Sequence, residues 1–245
     1  LDNDFELAIR LTINFYQKNK DFLVKISEIW NKPIFIEIWS EKFFYFVFKW
    51  EFNFIDNLGK SSALSTDRID IENAERYGIT YVDEKGNKAY PIILHNSPSG
   101  AIERCIYALL EKAYRDQTSG KIPHLPFWLS PTQLRIIPLS REFLDKSIEL
   151  SKNFEKHNVR FDIDDRDLSV GKKVRDAEKE WIKFIIVIGQ KELDTMKFSV
   201  RDRENKELYS MSIDEFIHKY KETMNDMISD SIAVSKFISD RPKFV

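Results

Sequence analysis

The stretch Phe43-Phe44-Tyr45-Phe46-Val47-Phe48-Lys49-Trp50-Glu51-Phe52-Asn53-Phe54-Ile55 alternates, with large apolar side chains at every even position from Phe44 to Phe54. Lys49, Glu51 and Asn53 share the odd positions with Tyr45 and Val47. A period of two is that of a β-strand. One greasy and one polar face favours antiparallel sheet, because parallel strands covered on both sides are apolar on both. Upstream, Phe5, Leu7, Ile9, Leu11 and Ile13 alternate in the same way. Phe22, Leu23, Ile26 and Ile29 then predict a helix over residues 16–30, closed before Pro33, and Ile34, Ile36 and Ile38 resume the strand period. Downstream, strands are expected near 62–71, 79–83 and 89–94, with Glu84-Lys85-Gly86-Asn87 as a turn. Ile102, Cys105, Ile106, Leu109, Leu110 and Ala113 form the apolar stripe of a helix over residues 100–115.

The polar, glycine- and proline-bearing run 117–123 reads as a linker, which places two domains at 1–118 and 119–245. In the second, strands at 133–139, 159–163 and 184–188 alternate with helices near 142–156 and 171–181, and a hairpin spans 197–211. Ser212 with Glu215 predicts a capping box opening a further helix, and the tail 224–245 reads as helical up to Arg241-Pro242. The expected fold class is therefore α/β (α+β): an antiparallel sheet with a following helix, then a small α/β domain with a mixed sheet.

Thirty-eight lysines and arginines against 40 aspartates and glutamates give a net charge of −2, which excludes a protein that coats nucleic acid by bulk charge. Any such contact must be local. The single cysteine, Cys105, rules out an internal disulfide and suits a reducing compartment, with the cytoplasm as the expected location. No apolar run approaches the ~18 residues of a membrane span. The sequence opens on Leu1 rather than methionine, so an upstream part is expected.

Glycine-rich phosphate loops, nucleophile elbows and paired metal-binding histidines are absent from the sequence. His95 ends an apolar strand, and Arg104 follows near the start of a helix, where a planar guanidinium can grip a phosphate or carboxylate or simply pair with a local acid. In the second domain Lys172, Lys173 and Arg175 surround a helix start, with Arg135 and Arg166 at strand ends. This is either a local anion site or a solvated face neutralised by Asp164, Asp165, Asp176 and Glu178.

The string Ile93-Leu94-His95-Asn96-Ser97-Pro98-Ser99-Gly100-Ala101-Ile102-Glu103-Arg104 resembles motif 3 of class II aminoacyl-tRNA synthetases, in the form found in threonyl-tRNA synthetases. Glu51 to Asp56, Ala63 to Asp70 and Glu72 to Gly78 resemble the archaeal-type core of that family. Leu125 to Pro138, Asp164-Asp165-Arg166, Gly171 to Ala177 and Ile188 to Glu192 resemble the anticodon-binding domain shared by the threonyl, prolyl, histidyl and glycyl enzymes.

The resemblance implies the C-terminal part of a class II catalytic domain joined to an anticodon-binding domain. It further implies a parent activity that joins threonine to tRNA-Thr with ATP. Arg104 corresponds to the catalytic arginine that contacts ATP, with Lys49 beside it; Phe46, Thr66 and Arg68 correspond to the amino-acid pocket, and His95 to one zinc ligand. Phe46 and Arg68 stand where bacterial-type relatives carry tyrosine and glutamine, through lineage difference or decay of the pocket. Cys105 is expected in the core. The residues expected at tRNA are Gln133, Arg135, Asp165, Arg166, Lys172, Lys173, Arg175 and Glu192. The resemblance also implies ATP and zinc as cofactors of the parent, neither held stably by these residues alone. Its expected partners are tRNA-Thr, the N-terminal remainder of the catalytic domain and a second copy, the family being dimeric. The alternative is a non-synthetic companion that binds tRNA-Thr and keeps a catalytic remnant as scaffold.

Overall fold

The alternating strand lies at the centre of a five-stranded sheet. The computed structural model describes residues 5–228, 230 and 234–242, and the chain divides into two units, Leu1–Arg115 and Asp116–Val245. The first contains β1 (Phe5–Thr12), α1 (Ile13–Lys18), α2 (Lys20–Trp30), β2 (Ile34–Trp39), β3 (Phe46–Ile55), β4 (Ser61–Asp70), α3 (Asn73–Arg76), β5 (Tyr81–Val82), β6 (Lys88–Ala89) and β7 (Ile93–Ser97), with α4 (Ile102–Thr118) closing it. The main sheet runs β2-β1-β3-β4-β7 and is antiparallel except for the β1–β2 pair, which is parallel because α1 and α2 make a crossover. Thr12 caps α1 by accepting from the Phe15 amide, and Asn31 in the left-handed region ends α2. Leu23 and Ile26 of α2 close over Leu7, Ile9, Leu11 and Phe48 on one face of the sheet.

β3 begins at Phe46, three residues later than the alternation predicts, and Phe43 and Phe44 are exposed. Its register slips between Phe46 and Phe48 and again between Phe52 and Asn53. An inserted residue turns the following side chains to the other face. Phe46 therefore joins Lys49 and Glu51 instead of the greasy face, opposite Asp70 where Lys49 is opposite Arg68. The stripe predicted for α4 is likewise not a buried one: Ala108 and Ala113 are buried, but Ile102, Ile106 and Leu110 are exposed, and no described residue covers them.

The second unit contains β8 (Leu134–Pro138), α5 (Leu144–Glu155), β9 (Phe161–Ile163), α6 (Val170–Lys179), β10 (Phe184–Ile188), α7 (Gln190–Thr195), β11 (Phe198–Asp202), β12 (Glu207–Met211) and α8 (Ile213–Met224). The sheet runs β12-β11-β10-β8-β9, parallel across β10, β8 and β9 and antiparallel beyond. Phe154 of α5 and Phe216 and Tyr220 of α8 pack with Leu134, Ile136 and Phe184, while Ala177 of α6 packs with Ile137 and Ile185. Helices thus cover both faces. The Ser212–Glu215 capping box opens α8 as its sequence predicts.

Among the described residues the tail is not the expected α-helix and holds only a 3-10 turn at Ile238–Asp240. α8 stops at Met224 because Asn225 and Asp226 take positive φ. The Lys236 carbonyl then accepts from the Ile163 amide, so this segment extends the sheet edge at β9 instead. Residues 229 and 231–233 of that expected helix, and 243–245 beyond it, lie outside the described set.

Arg135 of β8 stands directly opposite Asp162 of β9, and neither exposes any surface. Its Nε and Nη2 donate to the two carboxylate oxygens at 2.8 Å, Nη2 also reaches Glu180 at 2.6 Å, and Arg241 reaches Asp162 at 2.8 Å. Burial alone would lower the Arg135 pKa, but the bonds to Asp162 and Glu180 raise it above its ordinary value. Removing one member leaves a buried charge uncompensated. Asp162→Ala is expected to destabilise this unit by about 3–5 kcal/mol in urea unfolding; a loss below about 1 kcal/mol would contradict the account.

Candidate functional site

Backbone register assembles a polar face on the first unit. Arg10, Lys49, Arg68 and His95 stand side by side across β1, β3, β4 and β7, and Ala8, Glu51, Thr66 and Ser97 form the neighbouring row. Glu51 is buried and forms ion pairs with Arg10 and Lys49; Arg10 also reaches Glu37 at 2.8 Å. Lys49 is pulled down to about 8 by burial and by the charges of Arg68, Arg10 and Arg104, which outweigh the carboxylate beside it. Arg68 donates to the Tyr45 hydroxyl at 3.1 Å and lies 5.9 Å from the Phe46 ring centroid.

His95 is held from behind. Its Nε2 is 2.7 Å from Asp70 Oδ2, and fully buried Asp70 also accepts from the amides of Glu72 and Asn73 and from the Asn73 side chain. Burial pushes Asp70 up, but these bonds, those from the amides foremost, hold it well below the usual carboxylate range. Since an ionised carboxylate only accepts, Nε2 carries the hydrogen and Nδ1 keeps a lone pair in the neutral ring.

Gly100 delivers the arginine. It takes φ +61°, and a Cβ there would stand 1.8 Å from the Leu64 carbonyl oxygen, so only glycine lets the chain pass from β7 into α4 so close to β4. Arg104 then donates to the Ala63 carbonyl at 2.9 Å and remains exposed. Phe46, Lys49, Thr66, Arg68 and His95 therefore share one face, with Arg104 near enough to act on the Lys49 charge. Cys105 donates to the Ser99 carbonyl at 3.0 Å and is half-buried.

In the second unit the chain leaves β8 for β9 on one side and returns through α6 to β10 on the other, which opens a crevice at the carboxyl ends of the strands. The cavity, about 440 Å³, is lined among others by Ser140, Arg141, Asp165, Arg166, Asp167 and Lys173. Arg166 is pinned by two bonds to Asp164, at 2.8 and 2.7 Å, and lies 3.1 Å from Asp176. Lys173 is buried and donates to the Asp164 carbonyl at 3.0 Å, so it shapes the loop, while Lys172 is exposed. Asp165 accepts from the Ser239 amide and hydroxyl at 3.0 and 2.5 Å, a tether from the tail that the sequence pattern does not reveal.

Two of the residues expected at RNA lie inside the unit. Gln133 and Arg135 expose no surface: Gln133 binds the Phe127 carbonyl and the Tyr220 hydroxyl, and Arg135 is committed to Asp162 and Glu180. Both are scaffold. Glu192 accepts from the Gly189 amide at 3.1 Å, capping α7, and Arg175 lies in a different groove from the crevice.

Residues 133–223 match the family model described as anticodon binding domain. Over 244 residues, all of this chain, the sequence is 51% identical to a threonine–tRNA ligase of Nitrosopumilus maritimus, and over 242 residues, 99% of the chain, it is 48% identical to that of Pyrococcus furiosus. This chain carries an anticodon binding domain and is similar along its whole length to part of threonine–tRNA ligases. It spans 39% of the length of each of those relatives. Among solved structures, the RNA-binding domain of a threonyl-tRNA synthetase from Cryptosporidium parvum has the same fold, with TM-score 0.69 at 20% identity over 94% of this chain and 56% of that one. A prolyl-tRNA synthetase from the same organism matches with TM-score 0.61 at 25% identity, over 76% of this chain and 39% of that one.

For the zinc that the synthetase resemblance implies, His95 is fit to be one ligand, its second nitrogen oriented by a buried carboxylate. No group of three histidine, cysteine, aspartate or glutamate side chains that could hold a metal exists among the described residues. Arg10, Glu51 and Asp70 are the members of this face that sequence reading passes over; the β1–β3 register would have exposed Arg10, since it falls opposite Lys49.

Lys49 offers a direct check. A lysine whose folded pKa lies below its unfolded value binds fewer protons when folded, so stability rises with pH between about 8 and 10.5 as the strained charge is relieved. Dimethylated with ¹³C, Lys49 should titrate with a midpoint near 8, and Arg68→Gln should raise that midpoint. A midpoint above 10 in the unaltered chain would contradict the geometry.

Proposed function

We propose that this chain serves a threonine–tRNA ligase, joining threonine to tRNA at the expense of ATP, and that it contributes the motif 3 end of the catalytic sheet and the anticodon-binding unit. One observation carries the reading: a single alignment at 51% identity runs through both units. Because the relatives so matched are threonine–tRNA ligases, the ligase reading is preferred to the companion subunit.

In this reading Arg104 and Lys49 meet the phosphate charge of ATP, which supplies the activated phosphoanhydride. An exposed guanidinium tethered to the Ala63 carbonyl keeps further N–H groups free for oxygens, and Lys49 stands in a field already positive enough to attract an anion. Phe46, Thr66 and Arg68 wall the amino-acid pocket, and His95 gives one ligand to zinc. Asp165 and Arg166 meet the anticodon loop in the crevice, where splayed bases are read by hydrogen bonds as much as by charge; the exposed Lys172 meets the same RNA outside the crevice lining, and Arg175 meets it from its own groove. The exposed stripe of Ile102, Ile106 and Leu110 is the surface on which the remainder of the longer catalytic domain would pack. No described helix is long and apolar enough to cross a membrane.

The purified 245-residue chain should bind tRNA-Thr in preference to an unrelated tRNA, and Arg166→Ala should reduce that preference by about tenfold, within the ~1–3 kcal/mol of a base-directed arginine. Threonine-dependent ATP–pyrophosphate exchange should be absent from these 245 residues by themselves. Equal binding of all tRNAs, with no effect of Arg166→Ala, would overturn the anticodon assignment.

A further inference from the structure

We infer that the anticodon-binding unit carries a second RNA site, a cationic groove that holds the phosphate backbone away from the base-reading crevice. The groove measures about 800 Å³ and is lined by Lys121, Arg175, Lys179, Arg201, Arg203 and Lys206, with Glu178 as its one carboxylate. Such a concentration of like charge in a chain of net charge −2 raises the energy of the folded state unless an anion offsets it.

The groove is built, not incidental. Arg203 is half-buried and donates to the carbonyls of Glu178 and Pro123, both at 2.8 Å, which fix its charge in place; the Glu204 and Glu178 carboxylates act on that charge without a hydrogen bond to it among the described residues. Arg201 shares Glu178 at 3.2 Å, and Lys121 reaches Asp116 at 3.5 Å. Arg175, Lys179 and Lys206 are exposed and form no ion pair among the described residues. Trp181 completes the wall in a backbone conformation at φ +59°, where helices ordinarily end in glycine. A bulky aromatic held there at a conformational cost presents a flat apolar surface of the kind on which a base or ribose rests.

The groove is distinct from the crevice. Arg201 and Arg203 flank Asp202, which pairs with Phe184 at the start of β10, beside Leu134 at the start of β8. The crevice opens at the other end of β8, beyond Pro138, and a five-residue strand separates the two by about 13 Å. One stem-loop can span that distance, its bases in the crevice and its backbone along the cations. Phosphates fit this groove better than an acidic peptide would, because the cations lie along an open trough and an aromatic ring stands among them.

The inference rests on the tRNA-binding reading, and the experiment separates their failures. Binding of the full chain to tRNA-Thr and to an unrelated tRNA is measured across a series of salt concentrations. Arg201→Gln combined with Lys206→Gln should weaken both RNAs alike, by roughly tenfold at moderate salt, and lower the slope of log Kd against log salt by about 2, with discrimination and melting temperature unchanged. Arg166→Ala should do the opposite, lowering discrimination with the smaller change in slope. A double variant that keeps the unaltered affinity and slope overturns the groove while leaving the tRNA reading intact, and an acidic peptide would then be the better occupant. A chain that binds no tRNA at low salt overturns both.

Discussion

A charge taken out of water needs a partner held close, and that requirement divides the polar residues of this chain into those that build and those that can bind. Arg135 and Asp162 face each other across adjacent parallel strands, fully enclosed, with Glu180 and Arg241 completing the cluster. The cluster joins four parts of the second unit: β8, β9, the end of α6 and the tail. The tail is thereby fixed along the β9 edge, and Ser239 reaches Asp165 at the rim of the crevice. The geometry of a surface pocket is thus set by an interaction with no surface of its own.

The sequence displays this unit's secondary structure well, because β10 is a continuous apolar run, β8 is nearly so, and its longer helices carry regular stripes between turn residues. It does not display burial. Arg135 and Arg166 read alike, as arginines at strand ends, and only pairing register reveals that one points into Asp162 and the other to the rim. Gln133 reads as a polar surface residue, yet every hydrogen bond it makes is internal. The short helix α7 was invisible to a periodicity argument because six residues are less than two turns. The tail misled for the opposite reason: its composition permits a helix, and tertiary pairing with β9 overrides that local preference.

In the first unit alternation locates β3 but cannot locate its bulges, which depend on the partner strand as much as on β3 itself. One such irregularity brings Phe46 to the polar face. Without it, the aromatic ring would lie against α2, and Arg68 would lose the surface over which its guanidinium sits. The resemblance to motif 3 supplied the identities of His95 and Arg104, whereas the reason they converge is mechanical: register sets His95 beside Arg68, and Gly100 lets α4 start against the Leu64 carbonyl.

The same distinction between braced and free charge is what the proposed binding of a polyanion by a nearly neutral protein requires. In the crevice, Arg166 is locked by Asp164 and Asp176 and Asp165 by Ser239, so the proposed docking of a base there would cost little conformational freedom, and direction rather than net charge would decide what fits. In the groove, Arg175, Lys179 and Lys206 are exposed and form no ion pair among the described residues, which suits the proposed phosphates, whose positions vary from one RNA to another. Acidic residues thus orient the crevice arginine from two sides, while in the groove Arg175, Lys179 and Lys206 form no ion pair among the described residues. A uniform scatter of the same charges would give identical composition, an identical net charge and neither property.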